Sequence, residues 1–527
     1  MPRPDSGLLR RLVQRIDVPA WQSDARARPT STVREVFTGD ALVDVPVATT
    51  VDVADAFARA RRAQPAWAAR PVKERAAVLA RLADLVHARR ADLLDIVQAE
   101  TGKNRLSALD EVMDVLLNAR YYAAKGPGLL RPHRVTTAMP VITRARVHHR
   151  PLGVVGIIGP WNYPLALGVS DGLAALLAGN AVVLKPATLT PLSALFGADL
   201  LVEAGLPRDL WQVMTGAGRE AGAAIVQECD FLMFTGASET GATLAAAASR
   251  RLVPFSAELG GKNPMIVGAG ADLAAVADIG VRACFASAGQ LCVSIERIYV
   301  EASIFEAFCE TFVRRVEAMR VGPGYGWTVD MGSLASAEHL AVVQEHVRDA
   351  LAKGARLLTG GRRRPDVGPT FYEPTVLTDV PASALCAREE TFGPVVSLYR
   401  VESLDAAVAQ ANDSSYGLAS AVFCATSAQG EAVAALLRTG MVSVNEGYAA
   451  AWSSLGGPAG GMGISGLGYR HGREGLLKYT HAQTVATQTT LLNFGGPRGM
   501  DQQRWASFLE GASNLVRLLP GRWPGRH

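Results

Sequence analysis

Cysteine, histidine and lysine are all scarce in this chain of 527 residues, and each shortage removes a class of function. The six cysteines (Cys229, Cys284, Cys292, Cys309, Cys386 and Cys424) form no C-x-x-C pair, so they spell neither a disulfide framework nor a zinc site. The nine histidines are dispersed, and the only neighbours, His148 and His149, point to opposite faces if their stretch is a strand. No metal centre is expected. Lysine supplies only seven of the 53 basic residues, and 49 acidic ones leave a formal charge of +4. Such a balance gives no footing for a nucleic-acid-binding surface. A long apolar run is also missing. Pro151 to Ser170 carries no charge, but Gly153, Gly156, Gly159, Pro160 and Pro164 interrupt it, so a buried strand entering a turn explains it better than a spanning helix. The N-terminus, MPRPDSGLLRRLVQRID, has charges throughout and lacks the apolar core of a signal peptide, while Asp5 and Asp17 argue against a transit peptide. A reduced, cytoplasmic, soluble protein of about two to four domains is expected.

What is present is periodicity of two kinds. From Asp52 to Trp67, Lys73 to Gln98 and Ser107 to Tyr122, apolar residues recur at helical spacing. HRVTTAMPVITRARVHHRPLG then alternates β-branched and polar residues, as an exposed ribbon does. Short apolar runs follow, GVVGII (153–158), AVVLK (181–185), DLWQVM (209–214) and FLMFTG (231–236), separated by segments long enough for crossover helices. This predicts a βαβ region with a parallel sheet. A second such series follows Glu258: PMIVG (264–268), RIYVE (297–301), ARLLTG (355–360), PTVLTDV (374–380), VVSLYRV (395–401), SAVFCA (420–425) and MVSVNEG (441–447). THAQTVATQTTLL (480–492) alternates again and can pair with the earlier ribbon. Two α/β lobes with one ribbon reaching outward is the expected architecture.

Three residues carry the parts of acyl transfer. Cys292 in SAGQLCVS follows a Gly–Gln turn, Glu258 in AELGGKNP stands before a Gly–Gly turn 34 residues upstream, and Asn162 lies in the Pro-bounded turn PWNYP. A thiolate can attack, an amide can hold an oxyanion, and a carboxylate can activate water. Taken singly, each has a plainer reading as a packed cysteine, a capping carboxylate and a turn residue. Spacing alone does not bring them together.

The strings PWNYP, GNAVVLKPA, FTGASETG, ELGGKNP, GQLC, EETFGPV, NDSSYGL and GISGLG, in this order over about 160 to 468, resemble the aldehyde dehydrogenase superfamily. Within it almost the whole chain is similar to the second type of actinobacterial succinate-semialdehyde dehydrogenase, RACFASAGQLCVSIERIYVE being a plain example. The resemblance implies a Rossmann-like cofactor domain (1–134 and 153–258), a catalytic α/β domain (259–460), an oligomerisation ribbon (135–152 and 479–495) and a C-terminal tail (496–527). It implies a homo-dimer or homo-tetramer acting on a small aldehyde with NADP or NAD and no metal. Cys292 would attack the aldehyde, Asn162 and the Cys292 N–H would hold the oxyanion, and Glu258 would activate water against the thioester. Trp161, Lys185, Thr188, Gly236, Gly241, Glu390 and Phe392 match cofactor-binding positions, Lys185 at the adenosine ribose and the two glycines at the pyrophosphate. Both Cys292 and Glu258 being present argues against a catalytically silent binding member.

Three departures from the family pattern matter. Many NAD-preferring members have a glutamate three residues after the cofactor lysine; here Thr188 stands there. A carboxylate would repel a 2′-phosphate where a hydroxyl can hydrogen-bond it, so NADP is expected to be accepted. Better-known succinate-semialdehyde enzymes grip the substrate carboxylate with two arginines, at positions that are Ser170 and Ala286 here. An unpaired carboxylate in a pocket is costly, so either Arg297 or Ser294 replaces them or the substrate is a broad-range or long-chain aldehyde. A second cysteine two residues after the nucleophile is replaced by Ser294, which removes that redox switch. In the tail, Trp505, Phe508, Leu509, Ala512, Leu515, Val516 and Leu519 fall on one helical face. A helix packed on the protein itself or on a neighbouring subunit is the plainer expectation, and peripheral contact with a membrane the sharper one.

Overall fold

Runs of Val, Ile, Leu and Ala that are buried on both faces become the strands of two sheets, and the Ala-rich segments between them become the covering helices. The structure is a computed structural model that describes residues 29–137, 143–488, 496–497 and 499–518. The expected N-terminal reading, parts of the ribbon (138–142 and 489–495) and the last residues of the tail lie outside the described residues.

The first sheet has six strands, in the order Gly466–Leu467, Phe255–Glu258, Phe231–Thr235, Val154–Ile158, Ala181–Lys185 and Trp211–Val213. All neighbours are parallel except Gly466–Leu467, which runs antiparallel to Phe255–Glu258. Strand order reverses between Val154–Ile158 and Phe231–Thr235, where the turns after both strands open a crevice of the kind in which doubly wound sheets bind ligands. The second sheet has seven strands, in the order Arg356–Thr359, Thr375–Thr378, Val395–Val401, Ile295–Glu301, Asn263–Val267, Ala419–Phe423 and Met441–Val444. Its edge strand Arg356–Thr359 is antiparallel, not parallel as its place in the βαβ series suggested.

The helices follow their apolar spacing with two adjustments. Thr50–Ala68 starts at a capping box in which the Thr49 side chain accepts from the Asp52 amide while the Asp52 carboxylate accepts from the Thr49 amide. The expected Lys73–Gln98 helix is two, Val72–Ala88 and Arg90–Thr101, because Arg89 leaves helical geometry at φ −99°, ψ 15°. Arg105–Leu129 continues the third helix a further two turns. The ribbon is a three-stranded antiparallel sheet in which Thr143–Pro151 lies between His133–Val135 and Thr480–Gln488, with Thr480 opposite Pro151 and Gln488 opposite Thr143. Residues 466–478, to which the sequence assigned no element, close back on the first sheet.

In the tail, Gln502–Leu518 is helical. Trp505 is buried and stacks on an exposed Phe508 at 5.2 Å. No helix among the described residues is long and apolar enough to cross a membrane.

Candidate active site

Cys292 follows a backbone that only close packing can hold. Ser287, Ala288 and Gly289 take φ of 52°, 55° and 72° in succession, a left-handed path that costs a residue with a Cβ about 1–2 kcal/mol. At Gly289 a Cβ would fall 2.1 Å from the Gly393 carbonyl oxygen, so no other residue fits. Gln290 ties the turn down: its side chain donates to the carbonyls of Ser287 (2.9 Å) and Ser333 (3.2 Å) and accepts from the Ala335 amide (2.9 Å). Downstream, Asn263 Nδ2 donates to the carbonyls of Cys292 (2.7 Å) and Ser294 (2.8 Å). The nucleophile candidate is thus fixed from both sides. Burial pushes its thiol up to about 12; Glu258 and Glu390 add to the rise while Arg470 opposes it.

Asn162 comes from the turn after Val154–Ile158, and its side-chain amide donates to the Gln290 carbonyl at 3.0 Å, two residues from Cys292. The chain after it passes through a π-helical turn, Ala166–Ser170, before becoming the α-helix Asp171–Ala178. Such turns recur at functional sites, and here Ala166 and Leu167 face a cavity beside Cys292.

Glu258 ends its strand with its carboxylate buried, and Oε1 has no hydrogen-bond partner among the described residues. Burial pushes the carboxyl up to about 7; Arg470 and Lys478 hold it down and Asp171 raises it. A carboxyl poised there suits proton acceptance at neutral pH.

Two cavities, of about 800 and about 940 Å³ with their open mouths included, meet at Cys292 and Leu167, which line both. The larger occupies the crevice at the strand-order reversal. Trp161, Asn162, Gly236, Glu258, Glu390 and Phe392 are all on its wall. Gly236 opens the turn into the helix Ser238–Arg250, and a Cβ there would strike the Phe234 ring at 2.6 Å. Bare backbone beside a helix N-terminus suits a pyrophosphate. Glu390 accepts from the Gly261 amide at 2.7 Å, with burial and Glu296 pushing its carboxyl to about 8. Phe392, at φ 52°, is edge-on to Trp161, and its carbonyl is hydrogen-bonded to His339 Nε2 at 2.6 Å. Lys185 is buried, donates to the Pro186 carbonyl at 2.7 Å and is lowered to about 8 by burial. Thr188 is exposed and donates to the Gly216 carbonyl at 3.1 Å.

The smaller cavity is walled mainly by Met113, Leu117, Leu291, Val293, Trp452 and Leu455, with Asp110, Asp114 and Arg282 as its charged groups. Arg282 Nη2 donates to both oxygens of Asp110, at 3.0 and 3.2 Å. Ser170, at one of the absent-arginine positions, donates to Asp114 at 2.6 Å.

Three expected placements are corrected by this geometry. Arg297 is buried in its strand and spends its guanidinium on the carbonyls of Lys262 (2.7 Å) and Ala411 (3.1 Å) and on the Tyr299 hydroxyl. Ser294 donates to the carbonyls of Ala283 and Cys284 at 3.2 and 3.0 Å. Neither residue lines the cavity, because the side chains of both are spent on backbone carbonyls of the second lobe. Gly241 is not on the crevice wall; its amide donates to the Ala237 carbonyl, and a Cβ there would meet Leu259 at 2.6 Å, so it serves helix packing.

The profile of the Aldehyde dehydrogenase family matches residues 21–485. The chain belongs to the aldehyde dehydrogenase family. It is 52% identical over 522 residues (99% of this chain, 100% of the relative) to a Mycolicibacterium smegmatis protein named "Putative succinate-semialdehyde dehydrogenase (NADP+)". Among solved structures, an Escherichia coli NADP-dependent enzyme superposes with a TM-score of 0.84 at 33% identity, over 88% of this chain and 95% of that one. Betaine aldehyde dehydrogenase of Staphylococcus aureus in complex with NAD+ does so with a TM-score of 0.85 at 30% identity, over 93% and 99%.

In this aldehyde dehydrogenase several site residues escape a sequence reading. Lys103 and Glu111 form a buried ion pair beneath Asn162. Glu296 accepts from Lys262 and from the amides of Thr391 and Phe392. Arg470 and Lys478 lie near Glu258. Glu111 and Glu296 are charges inside otherwise apolar patterns, which read as readily as a solvated face, whereas Lys103, Arg470 and Lys478 carry no local signal.

Proposed function

We propose that this enzyme oxidises an aldehyde to its carboxylic acid, with NADP preferred to NAD. The observation that carries the reading is Cys292 on the wall shared by two cavities, so that a substrate in one and a dinucleotide in the other meet at its sulfur. Trp161, Gly236, Glu390 and Phe392 would hold the dinucleotide in the crevice, with Lys185 and Thr188 at its adenosine end. When bound it supplies the acceptor for the aldehyde's hydride.

The chain's own groups do the remainder. The Cys292 thiol gives up its proton to water, the electron pair left on sulfur forms a bond to the aldehyde carbon, and the carbonyl π pair moves to oxygen. The Asn162 amide and the Cys292 N–H donate to that oxyanion. Loss of hydride from the carbon restores the carbonyl as a thioester. Glu258 then takes a proton from water as its oxygen bonds the thioester carbon, the C–S bond breaks and the electron pair leaves on sulfur.

Succinate semialdehyde is the substrate supported by the name of the 52%-identical relative. A second reading, an uncharged aldehyde, is favoured by the apolar wall of the substrate cavity, whose single cation among the described residues, Arg282, is already held by Asp110. The test is the rate of cofactor reduction with succinate semialdehyde, a short uncharged aldehyde and a long-chain aldehyde, each with NADP and NAD. Highest kcat/KM with succinate semialdehyde and NADP supports the first reading, and preference for the uncharged aldehydes supports the second. Assembly as a homo-dimer or homo-tetramer fits the exposed strand Thr480–Gln488 at the ribbon's edge, and light scattering would measure it.

A further inference from the structure

Phe231–Thr235 and Phe255–Glu258 run parallel, with Met233 opposite Ser256 and Thr235 opposite Glu258. Because side chains alternate along a strand, these four share one face. Two cations lie across it. Lys478 Nζ donates to Ser256 Oγ at 3.3 Å and stands 3.3 Å from Met233 Sδ. Arg470 Nη2 donates to Thr235 Oγ1 and to Asp171 Oδ2, the latter at 2.8 Å. Arg470 therefore reaches the strand position directly beside Glu258, where Arg470 Nε and Glu258 Oε1 are both buried and have no partner among the described residues.

Both cations are delivered by one segment. Gly466 pairs with Glu258 across an antiparallel bridge, Arg470 follows four residues on, and the helix Gly472–Leu477 carries the chain to Lys478. Neither cation lines the dinucleotide crevice or the substrate cavity; both line an adjoining polar cavity with Asp171, His471 and Tyr479, which shares Asp114 and Leu167 with the substrate cavity. Burying so many charges is unfavourable where pairing is imperfect, so a packing role alone would be met better by apolar side chains.

We propose that Arg470, supported by Lys478, is a positioning residue that keeps Glu258 as a carboxylate, and so able to accept the proton of the hydrolytic water. The proposal rests on the reading of Glu258 as the base of thioester hydrolysis. Burial alone drives a carboxylate toward its neutral acid. The groups that bear on Glu258 are Arg470 and Lys478, which favour the anion, and Asp171, which disfavours it; the Cys292 thiol shares the site. Asp171 is itself neutralised by Arg470, so one guanidinium both supplies the favourable charge and cancels the unfavourable one. Removing it leaves Glu258 facing a buried carboxylate with Lys478 alone in opposition.

The test is acyl-enzyme hydrolysis, followed by quenched flow with NADP and the best aldehyde, for Arg470→Met, Arg470→Lys and Lys478→Met across the neutral pH range. We expect the pH at which hydrolysis is half-maximal to rise by about one unit in Arg470→Met, a loss of about fivefold at pH 7 that alkali restores. Arg470→Lys should stay near the parent, and Lys478→Met should shift less while hydride transfer keeps its rate in that variant. If Arg470→Met does not fold, Lys478→Met still has to move the profile upward. A profile that superimposes on the parent's, with Glu258→Gln inactive in hydrolysis, overturns the proposal while leaving Glu258 as the base. Full hydrolysis by Glu258→Gln overturns the underlying reading and the proposal with it.

Discussion

The buried ammonium of Lys103 donates to the backbone carbonyl of Asn162 at 2.7 Å and to the Glu111 carboxylate at 2.6 Å. Glu111 in turn accepts from the amides of Leu165 and Ala166, at 2.8 and 3.1 Å. The turn that carries Asn162, proposed to hold the oxyanion, therefore rests on an ion pair with no access to water, a geometry preset before any aldehyde arrives.

Breaking that pair should be expensive in two ways. Lys103→Met strands a buried carboxylate and should cost about 3–5 kcal/mol of stability, measured as a lowered denaturant midpoint. Because the lost contact positions Asn162 and does not touch substrate, kcat should fall more than KM rises. A Lys103→Met variant with parental stability and kcat would show that the turn holds itself.

The Cys292 thiol, pushed up to about 12 by its burial, is almost wholly protonated at neutral pH in the dinucleotide-free enzyme. A group below its pKa gains about tenfold in ionised fraction per pH unit, and the thiolate is the reactive form. Inactivation by iodoacetamide should therefore climb steeply and without a plateau from neutral pH into alkali. A plateau near neutrality would mean that the thiol is activated by a group other than those around it here.

The two parallel sheets, their boundary near Glu258 and the ribbon were legible because strand periodicity and Gly–Pro punctuation are local signals. The edge strand Arg356–Thr359 was misjudged in direction because a strand's own sequence does not encode whether its partner runs with it or against it. The break at Arg89 was invisible for a similar reason: apolar spacing resumes in phase on its far side. At the site, Cys292, Glu258 and Asn162 stood out by their turns, and the structure brings Asn162 to Gln290, two residues before Cys292. Arg470 and Lys478 did not stand out, since their approach to Glu258 depends on residues 466–478 returning some 200 positions later to pair with its strand. Arg297 misled because a cation close to the nucleophile in sequence looks available, whereas its strand turns it onto backbone carbonyls.

The proposed adenosine end of the crevice offers a direct test of cofactor choice. Thr188 presents a hydroxyl beside Gly216, and Arg219 is exposed at the start of the helix Gly218–Glu228 that follows. A glutamate at 188 would set a carboxylate against a 2′-phosphate. Thr188→Glu should lower kcat/KM for NADP by about tenfold or more, the size expected when a hydrogen bond to a charged group is lost and a repulsion added, while NAD is spared or improved. Arg219→Gln should raise KM for NADP and leave NAD unchanged. NADP kinetics unaltered by both substitutions would place the discrimination elsewhere in the crevice.

Arg282 decides between the two substrate readings. It lies on the helix Leu273–Phe285, four residues before Ala286, and one helical turn returns a side chain to the same face. Its guanidinium thus enters the cavity one helical turn before Ala286. Asp110 engages only Nη2, and the Tyr448 hydroxyl, 3.4 Å from Asp110, helps hold that carboxylate in place. If a substrate carboxylate is bound here, Arg282 is the cation that meets it, since among the described residues Asp110 and Asp114 are the cavity's only other charged groups and both are acids. Arg282→Gln should then raise KM for succinate semialdehyde by about tenfold, the worth of a hydrogen bond to a charged group, and leave KM for an uncharged aldehyde of equal length unchanged. A KM that moves for neither substrate would show that the apolar wall of Met113, Leu117, Trp452 and Leu455 selects the aldehyde, with the Arg282–Asp110 pair serving only to neutralise an acid at its edge.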